Sequence, residues 1–169
     1  MLNRIWAPWR AHYVQAASAL LEPGPDCFLC RGLASKEDRE NLVVERRANS
    51  FVVLNRYPYN NGHLLVAPHA HRSALAELEG PELVEPIETV RRLTTVLDRM
   101  LQPQGYNIGL NQGKAAGAGL PGHLHWHIVP RWDGDTNFMP ILGHTKVIIE
   151  SLHEFYDRLS EELGRDHQM

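Results

Sequence analysis

Apolar positions along the chain change their period several times, and each change marks an element. Leu42-Val43-Val44-Glu45 and Ser50-Phe51-Val52-Val53-Leu54-Asn55 are β-branched, apolar runs of strand length. His63-Leu64-Leu65-Val66-Ala67 is a third such run, stopped by Pro68. Between the second and third lies Tyr57-Pro58-Tyr59-Asn60-Asn61-Gly62, dense in turn formers. From Pro81 to Leu101 the period becomes helical, with Leu83, Ile87, Val90, Leu93, Thr94, Leu97, Met100 and Leu101 recurring at spacings of three and four. Pro81 suits a first helical turn, whereas Pro86 predicts either the true start of the helix or a kink. Tyr106 to Asn111 reads as a fourth strand and His123 to Val129 as a fifth, separated by a glycine-bearing loop. Near the end, Ile148, Leu152, Phe155, Tyr156 and Leu159 form one face of an amphipathic helix. The pattern predicts an α+β fold: an antiparallel five-stranded sheet with a long helix and a C-terminal helix.

A chain of 169 residues suits one domain with a sizeable core. The expected organisation is a single domain over 1–169, with 1–26 as an N-terminal arm carrying a short helix near residues 10–21, and 139–169 as a C-terminal extension. The net charge of −3 provides no basic field, which argues against a long nucleic acid as partner and leaves room for a small anionic ligand. No apolar run approaches the roughly 18 residues of a membrane span. Met1 to Arg10 lacks the apolar stretch and cleavage site of a secretory signal. The expectation is a cytoplasmic protein with no membrane partner.

The two cysteines, Cys27 and Cys30, stand two residues apart after Pro23-Gly24-Pro25, so they should lie at a turn. In a reducing compartment such a pair is a metal half-site, a redox motif or an unmetallated thiol pair. The strand-then-helix context of a redox motif is lacking.

The segment that carries chemistry is His123-Leu124-His125-Trp126-His127-Ile128-Val129. On a strand, residues two apart share a face. His123, His125 and His127 should therefore point one way and Leu124, Trp126 and Ile128 into the core. The same pattern also fits three exposed histidines on a half-buried strand, or a facial metal site without catalysis.

This run resembles the defining motif of the histidine-triad family. Gly62-His63-Leu64-Leu65-Val66-Ala67-Pro68 is similar to the family's upstream strand, and Asn111-Gln112-Gly113 with its glycine-rich loop is similar to its phosphate approach. Trp6-Ala7-Pro8-Trp9-Arg10 and the stretch Pro130-Arg131-Trp132-Asp133-Gly134-Asp135-Thr136-Asn137-Phe138 resemble the longer bacterial branch that cleaves diadenosine tetraphosphate. The resemblance implies a HIT-like fold and an enzyme that cleaves dinucleoside polyphosphates. Other activities within it are hydrolysis of a nucleoside phosphoramidate or an adenylylsulfate, or nucleotide binding without turnover.

It further implies that His123, His125 and His127 form the catalytic triad. His125 would attack the α-phosphorus to form a nucleotidyl-histidine, and His127 would hydrogen-bond a phosphoryl oxygen. Water or inorganic phosphate would then take the nucleotidyl group. A neutral imidazole suits the nucleophile at pH 7. Asn55 would lie near the ribose hydroxyls and Asn111 near the phosphates. Gly113, Gly117, Gly119 and Gly122 would let backbone N–H groups approach phosphate. Where many members carry Gln, Ser or Thr shortly before the first histidine, this chain has Gly119 and Leu120, which leaves that work to the backbone or to Lys114. Trp132 would stack on a base, or else belong to the core or an interface.

For the cysteines, the resemblance implies a structural zinc held by Cys27, Cys30, His71 and His123, with His69 a nearby competitor for His71. It also implies a homodimer, with a tetramer as the larger alternative; the apolar helix 81–101 is the one feature of the sequence in support.

Overall fold

The computed structural model of the protein describes residues 27–136 and 148–166. The expected arm helix near 10–21, the motif Trp6 to Arg10, and Asn137 and Phe138 lie outside the described residues.

Five strands form one sheet: β1 (Val43–Arg46), β2 (Ser50–Leu54), β3 (Leu64–Pro68), β4 (Gly105–Leu110) and β5 (Trp126–Arg131), in the order β1-β2-β3-β5-β4. Every pairing is antiparallel. Short α1 (Phe28–Ala34) and α2 (Asp38–Asn41) precede the sheet, α3 (Pro81–Leu101) crosses it between β3 and β4, and α4 (Leu152–Asp166) closes the described chain. The α+β architecture read from the periodicity is therefore the observed one. No helix among the described residues is long and apolar enough to cross a membrane.

The core forms where α3 lies on the middle of the sheet. Val90, Leu93, Val96 and Leu97 of α3 and Leu64, Val66 and Ile128 of the strands are all buried in one cluster. Each such side chain contributes roughly 1.5–3 kcal/mol of apolar burial. Phe155, Leu159 and Leu163 of α4 join this cluster, and Arg92 ties α3 both to Glu45 on β1 and to Asp166 on α4.

Three details depart from the sequence reading. The long helix begins at Pro81 and runs through Pro86, which is buried within it. Pro86 removes only one bond, near the helix start, and the packing of α3 outweighs that loss. The last strand is also displaced, beginning at Trp126 rather than His123 and continuing through Pro130 to Arg131. Pro130 is tolerated because its carbonyl accepts from Asn60 Nδ2 (3.0 Å), on the side away from β4. A residue's N–H and C=O share a side in an antiparallel strand, so the missing donor costs no ladder bond. Finally, Ile148 precedes the helix it was expected to begin.

The turn before β3 depends on Gly62. Its φ is +74°, and a Cβ there would lie 2.6 Å from Leu101 Cδ1. The left-handed backbone favours glycine, and any side chain there would also displace the end of Leu101.

Candidate active site

The sheet places histidines by register. Leu65 of β3 pairs with His127 of β5, so His63, two residues before Leu65, is the diagonal neighbour of His127 on the same face. The His63 Nε2 to His127 Nδ1 distance is 2.9 Å. His127 in turn lies against His125, with ring centroids 4.9 Å apart.

His125 is held by a backbone carbonyl. Its Nδ1 lies 2.8 Å from the oxygen of His123. A carbonyl only accepts, so Nδ1 carries the proton and Nε2 keeps its lone pair. Burial lowers the pKa of His125 below the ordinary imidazole value, against the opposing pull of that carbonyl. The ring is thus a neutral base with a defined reactive nitrogen at pH 7.

His123 is fully buried and serves the other end of the segment. The Leu124 N–H donates to the Arg72 carbonyl (2.7 Å), which holds His123 to His125 beside the chain that follows β3. His123 Nε2 lies 3.0 Å from the Pro68 carbonyl and so carries the proton, leaving the Nδ1 lone pair directed at sulfur. Cys27 Sγ and Cys30 Sγ each lie 3.5 Å from that Nδ1, and Cys30 Sγ lies 3.1 Å from His71 Nδ1. The four ligand atoms fall within 4.8 Å of one another.

This donor set fits a tetrahedral metal. Ligand bonds near 2.3 Å for sulfur and 2.0–2.1 Å for nitrogen place sulfur and nitrogen about 3.6 Å apart around zinc. The Pro68 carbonyl supplies the outer hydrogen bond that orients a ligating histidine. Burial pushes the Cys27 thiol up to about 11, so an anionic sulfur there requires a cation beside it. Burial also brings His123 down to about 4, keeping its ring neutral. His69, the competitor for His71, instead places its Nε2 3.0 Å from the Ser50 carbonyl.

A cavity of about 450 Å3 opens beside His127, and its lining includes Tyr59, Asn107, Asn111, Arg131 and Thr136. Of the residues expected at a substrate, His127 and Asn111 line it; His125, which packs against His127 from behind the lining, and Asn55, Lys114, Gly117, Gly119 and Trp132 do not. Asn55 is engaged within its own turn, accepting from the Tyr57 N–H (2.9 Å) and directing Nδ2 at His63. Lys114 is exposed in a short 3-10 turn, and the Gly117 N–H closes that turn onto the Lys114 carbonyl (2.9 Å). Gly117 is needed there for its φ of +87°, and its N–H is spent on the turn. The Trp132 N–H donates to Asp135 Oδ2 (3.2 Å) in the bend that ends the site. Arg131 braces the same bend and holds the Asp135 carboxyl well below the usual carboxylate range.

The sequence reading did not single out the side chains of His63, Tyr59, Asn107 and Thr136. For His63 a signal existed: a histidine opening an apolar strand. Its meaning depends on the register between β3 and β5.

Comparison with known proteins adds lineage to this geometry. The HIT domain family matches residues 36–134. The chain is 38% identical over 167 residues to the AP-4-A phosphorylase of Mycobacterium tuberculosis strain H37Rv, covering 97% of this chain and 86% of that protein. Among solved structures, a Zn-bound histidine triad family protein from Mycobacterium smegmatis superposes with a TM-score of 0.61 at 24% identity, over 75% of this chain and 86% of that one. The diadenosine triphosphate hydrolase of Plasmodium falciparum superposes with a TM-score of 0.62 at 16% identity, over 92% and 97%. At these identities the two structures speak for the fold.

Proposed function

The chain belongs to the HIT domain family, and on that premise we propose that it is an enzyme that phosphorolyses dinucleoside polyphosphates, diadenosine tetraphosphate first. The observation that carries the reading is the 2.8 Å contact between His125 Nδ1 and the His123 carbonyl, which leaves a lone pair on Nε2 of a neutral, buried imidazole. That nitrogen attacks the α-phosphorus: a P–N bond forms, and the P–O bond to the remaining polyphosphate breaks, its electron pair leaving with the oxygen. His127 hydrogen-bonds a phosphoryl oxygen, and Asn111 lies along the same cavity. An oxygen of inorganic phosphate then attacks the nucleotidyl group, the P–N bond breaks, and His125 regains its lone pair. For diadenosine tetraphosphate the products are ATP and ADP. The choice of phosphate over water rests on the name of the 38% identical relative.

The metal we assign to Cys27, Cys30, His71 and His123 is zinc. When bound it supplies charge compensation and a cross-link rather than a reaction step, because all four positions are protein ligands. It joins α1 to the segment that leads into β5. A thiolate pair kept for a metal fits a reducing compartment, which supports a cytoplasmic location. The single-domain reading holds residues 1–26 and 139–169 as arm and extension of this unit. A homodimer is the assembly proposed, supported by exposed Val84 and Ile87 on α3 and by exposed Ile108 on the edge strand β4. Light scattering at working concentration gives twice the chain mass on this reading; one chain mass refutes it.

Product analysis tests the function. Incubation with diadenosine tetraphosphate should give ADP and ATP only when inorganic phosphate is present. Formation of AMP and ATP without phosphate replaces the phosphorylase with a hydrolase using the same histidine, and no cleavage overturns the substrate class.

A further inference from the structure

His63 is 1% exposed, and the backbone contact to its ring has a direction that chemistry fixes. The Tyr59 backbone N–H points at His63 Nδ1 (3.1 Å), and a backbone N–H only donates. The Asn55 amide lies beside the ring, its Nδ2 3.2 Å from Nδ1 and 3.4 Å from Nε2. The orientation of that amide is not arbitrary, because Asn55 Oδ1 is taken by the Tyr57 N–H at 2.9 Å. The Tyr59 N–H alone distinguishes the two ring nitrogens, and a donor on Nδ1 requires that nitrogen to be unprotonated. The single proton of a neutral His63 is therefore on Nε2, which faces His127 Nδ1 at 2.9 Å. His127 Nδ1 must then accept, and its own proton sits on Nε2. The ring of Tyr59 covers the pair, its centroid 4.8 Å from that of His63 and 6.1 Å from that of His127.

We propose that His63 is a positioning residue: through the chain Tyr59 N–H to His63 to His127, it fixes His127 in the tautomer that carries its proton on Nε2, the donor form that a phosphoryl oxygen requires. Without it, a neutral imidazole chooses between two tautomers, one of which offers that oxygen a lone pair. The proposal deepens the cleavage reading and rests on it for the oxygen, but not for the tautomer. Only hydrogen bonding is involved. The leaving polyphosphate departs as an anion, so His127 gives up no proton and His63 remains neutral throughout. Burial, then the neighbouring His127 and His125, brings the His63 pKa down to about 3, so the ring holds one proton at neutral pH.

The test combines spectroscopy and kinetics. In two-bond 15N–1H correlation spectra of the wild-type protein at pH 7, His127 should show a protonated Nε2 and an unprotonated Nδ1. A protonated Nδ1 overturns the proposal, whether or not the protein cleaves anything. His63→Leu should change the His127 nitrogen shifts and lower kcat by about 100-fold, the lower range for losing one preorganised donor at a developing oxyanion, with KM changing much less. His63→Gln can accept the Tyr59 N–H with its oxygen and donate to His127 with its nitrogen. It should keep kcat within about threefold of wild type, as one donor replaces another. If His63→Leu does not fold, the wild-type spectrum and His63→Gln decide. Loss of activity in His63→Gln equal to that in His63→Leu would contradict the proposal. Absence of cleavage by the wild type refutes the function and leaves the tautomer measurement standing.

Discussion

The two ends of the histidine segment use the same side chain in opposite ways. At one end, His123 donates its Nε2–H to the Pro68 carbonyl and turns a lone pair toward two sulfurs. At the other, His125 donates its Nδ1–H to the His123 carbonyl and keeps the lone pair on Nε2, while His127 accepts from His63. For His123 and His125 a backbone carbonyl, and for His127 the His63 side chain, decides which nitrogen is left. The Cys27, Cys30, His71 and His123 end is a closed set of four candidate ligands, and at the other end His127 borders a cavity of about 450 Å3. On the proposed function, one end holds the fold and the other performs the reaction, and substitutions should separate the two.

The largest expected effect breaks the catalytic end alone. His125→Ala should reduce turnover by at least about 1,000-fold, since the nucleophile of a covalent mechanism has no substitute. The thermal midpoint should stay close to wild type, measured alongside by circular dichroism. A variant retaining a few per cent of activity would remove His125 from its role.

Next comes the metal end. Zinc near one equivalent per chain is expected in protein purified without a histidine tag. Cys30→Ser, or prolonged chelation, should destabilise the fold by several kcal/mol, because metal-binding energy is folding energy. The contrast sharpens if activity falls only in step with the folded fraction. An absence of metal in the wild type, or a Cys30→Ser variant as stable as wild type, would contradict the assignment.

The third effect is a pH window. His63 is held at about 3 when folded, against 6.5 for the free side chain. A depressed histidine means that the unfolded chain binds the extra proton first. The contribution is whole above pH 6.5 and is lost as the pH falls toward 3, by about 1.4 kcal/mol per unit. Denaturant titrations of wild type and His63→Gln should diverge over that range, with the variant less sensitive to acid. Parallel curves would show that His63 is not the group responsible.

Smallest is Asn55→Ala. It removes the amide beside the His63 ring and leaves the Tyr59 N–H on Nδ1 in place. A loss of about 0.5–1.5 kcal/mol in stability is expected, the size of one ordinary hydrogen bond. A change in kcat of less than about threefold accompanies it on the present account, because one donor still fixes the tautomer. A fall comparable to His125→Ala would mean that Asn55 meets substrate directly.

Much of this was legible in the sequence, and the reasons differ by element. The helix over Pro81–Leu101 was readable because its apolar face repeats over twenty-one residues. The strands were readable from β-branched runs between turn formers. The Cys27–Cys30 spacing pointed to a metal half-site without any knowledge of the fold. His71 and His123 needed the family resemblance, because their approach to the cysteines spans 41 and 93 residues. The triad's alternation was visible, but not that β5 begins only at Trp126, since a bond from Leu124 to Arg72 holds the first histidines outside the regular ladder. His63 was hidden for a related reason. Its partner is set by the pairing of Leu65 with His127, and cross-strand register is a tertiary fact. The glycine loop misled in part: Gly117 is required for a left-handed turn, and that turn consumes the N–H expected to meet phosphate.

The measurement that tests the central claim most directly is mass spectrometry of protein quenched during turnover of diadenosine tetraphosphate, with inorganic phosphate limiting. The account predicts an adenylyl adduct on the peptide containing His125, lost when phosphate is added and absent in His125→Ala. Sustained turnover with no adduct, or an adduct that persists in His125→Ala, would contradict it.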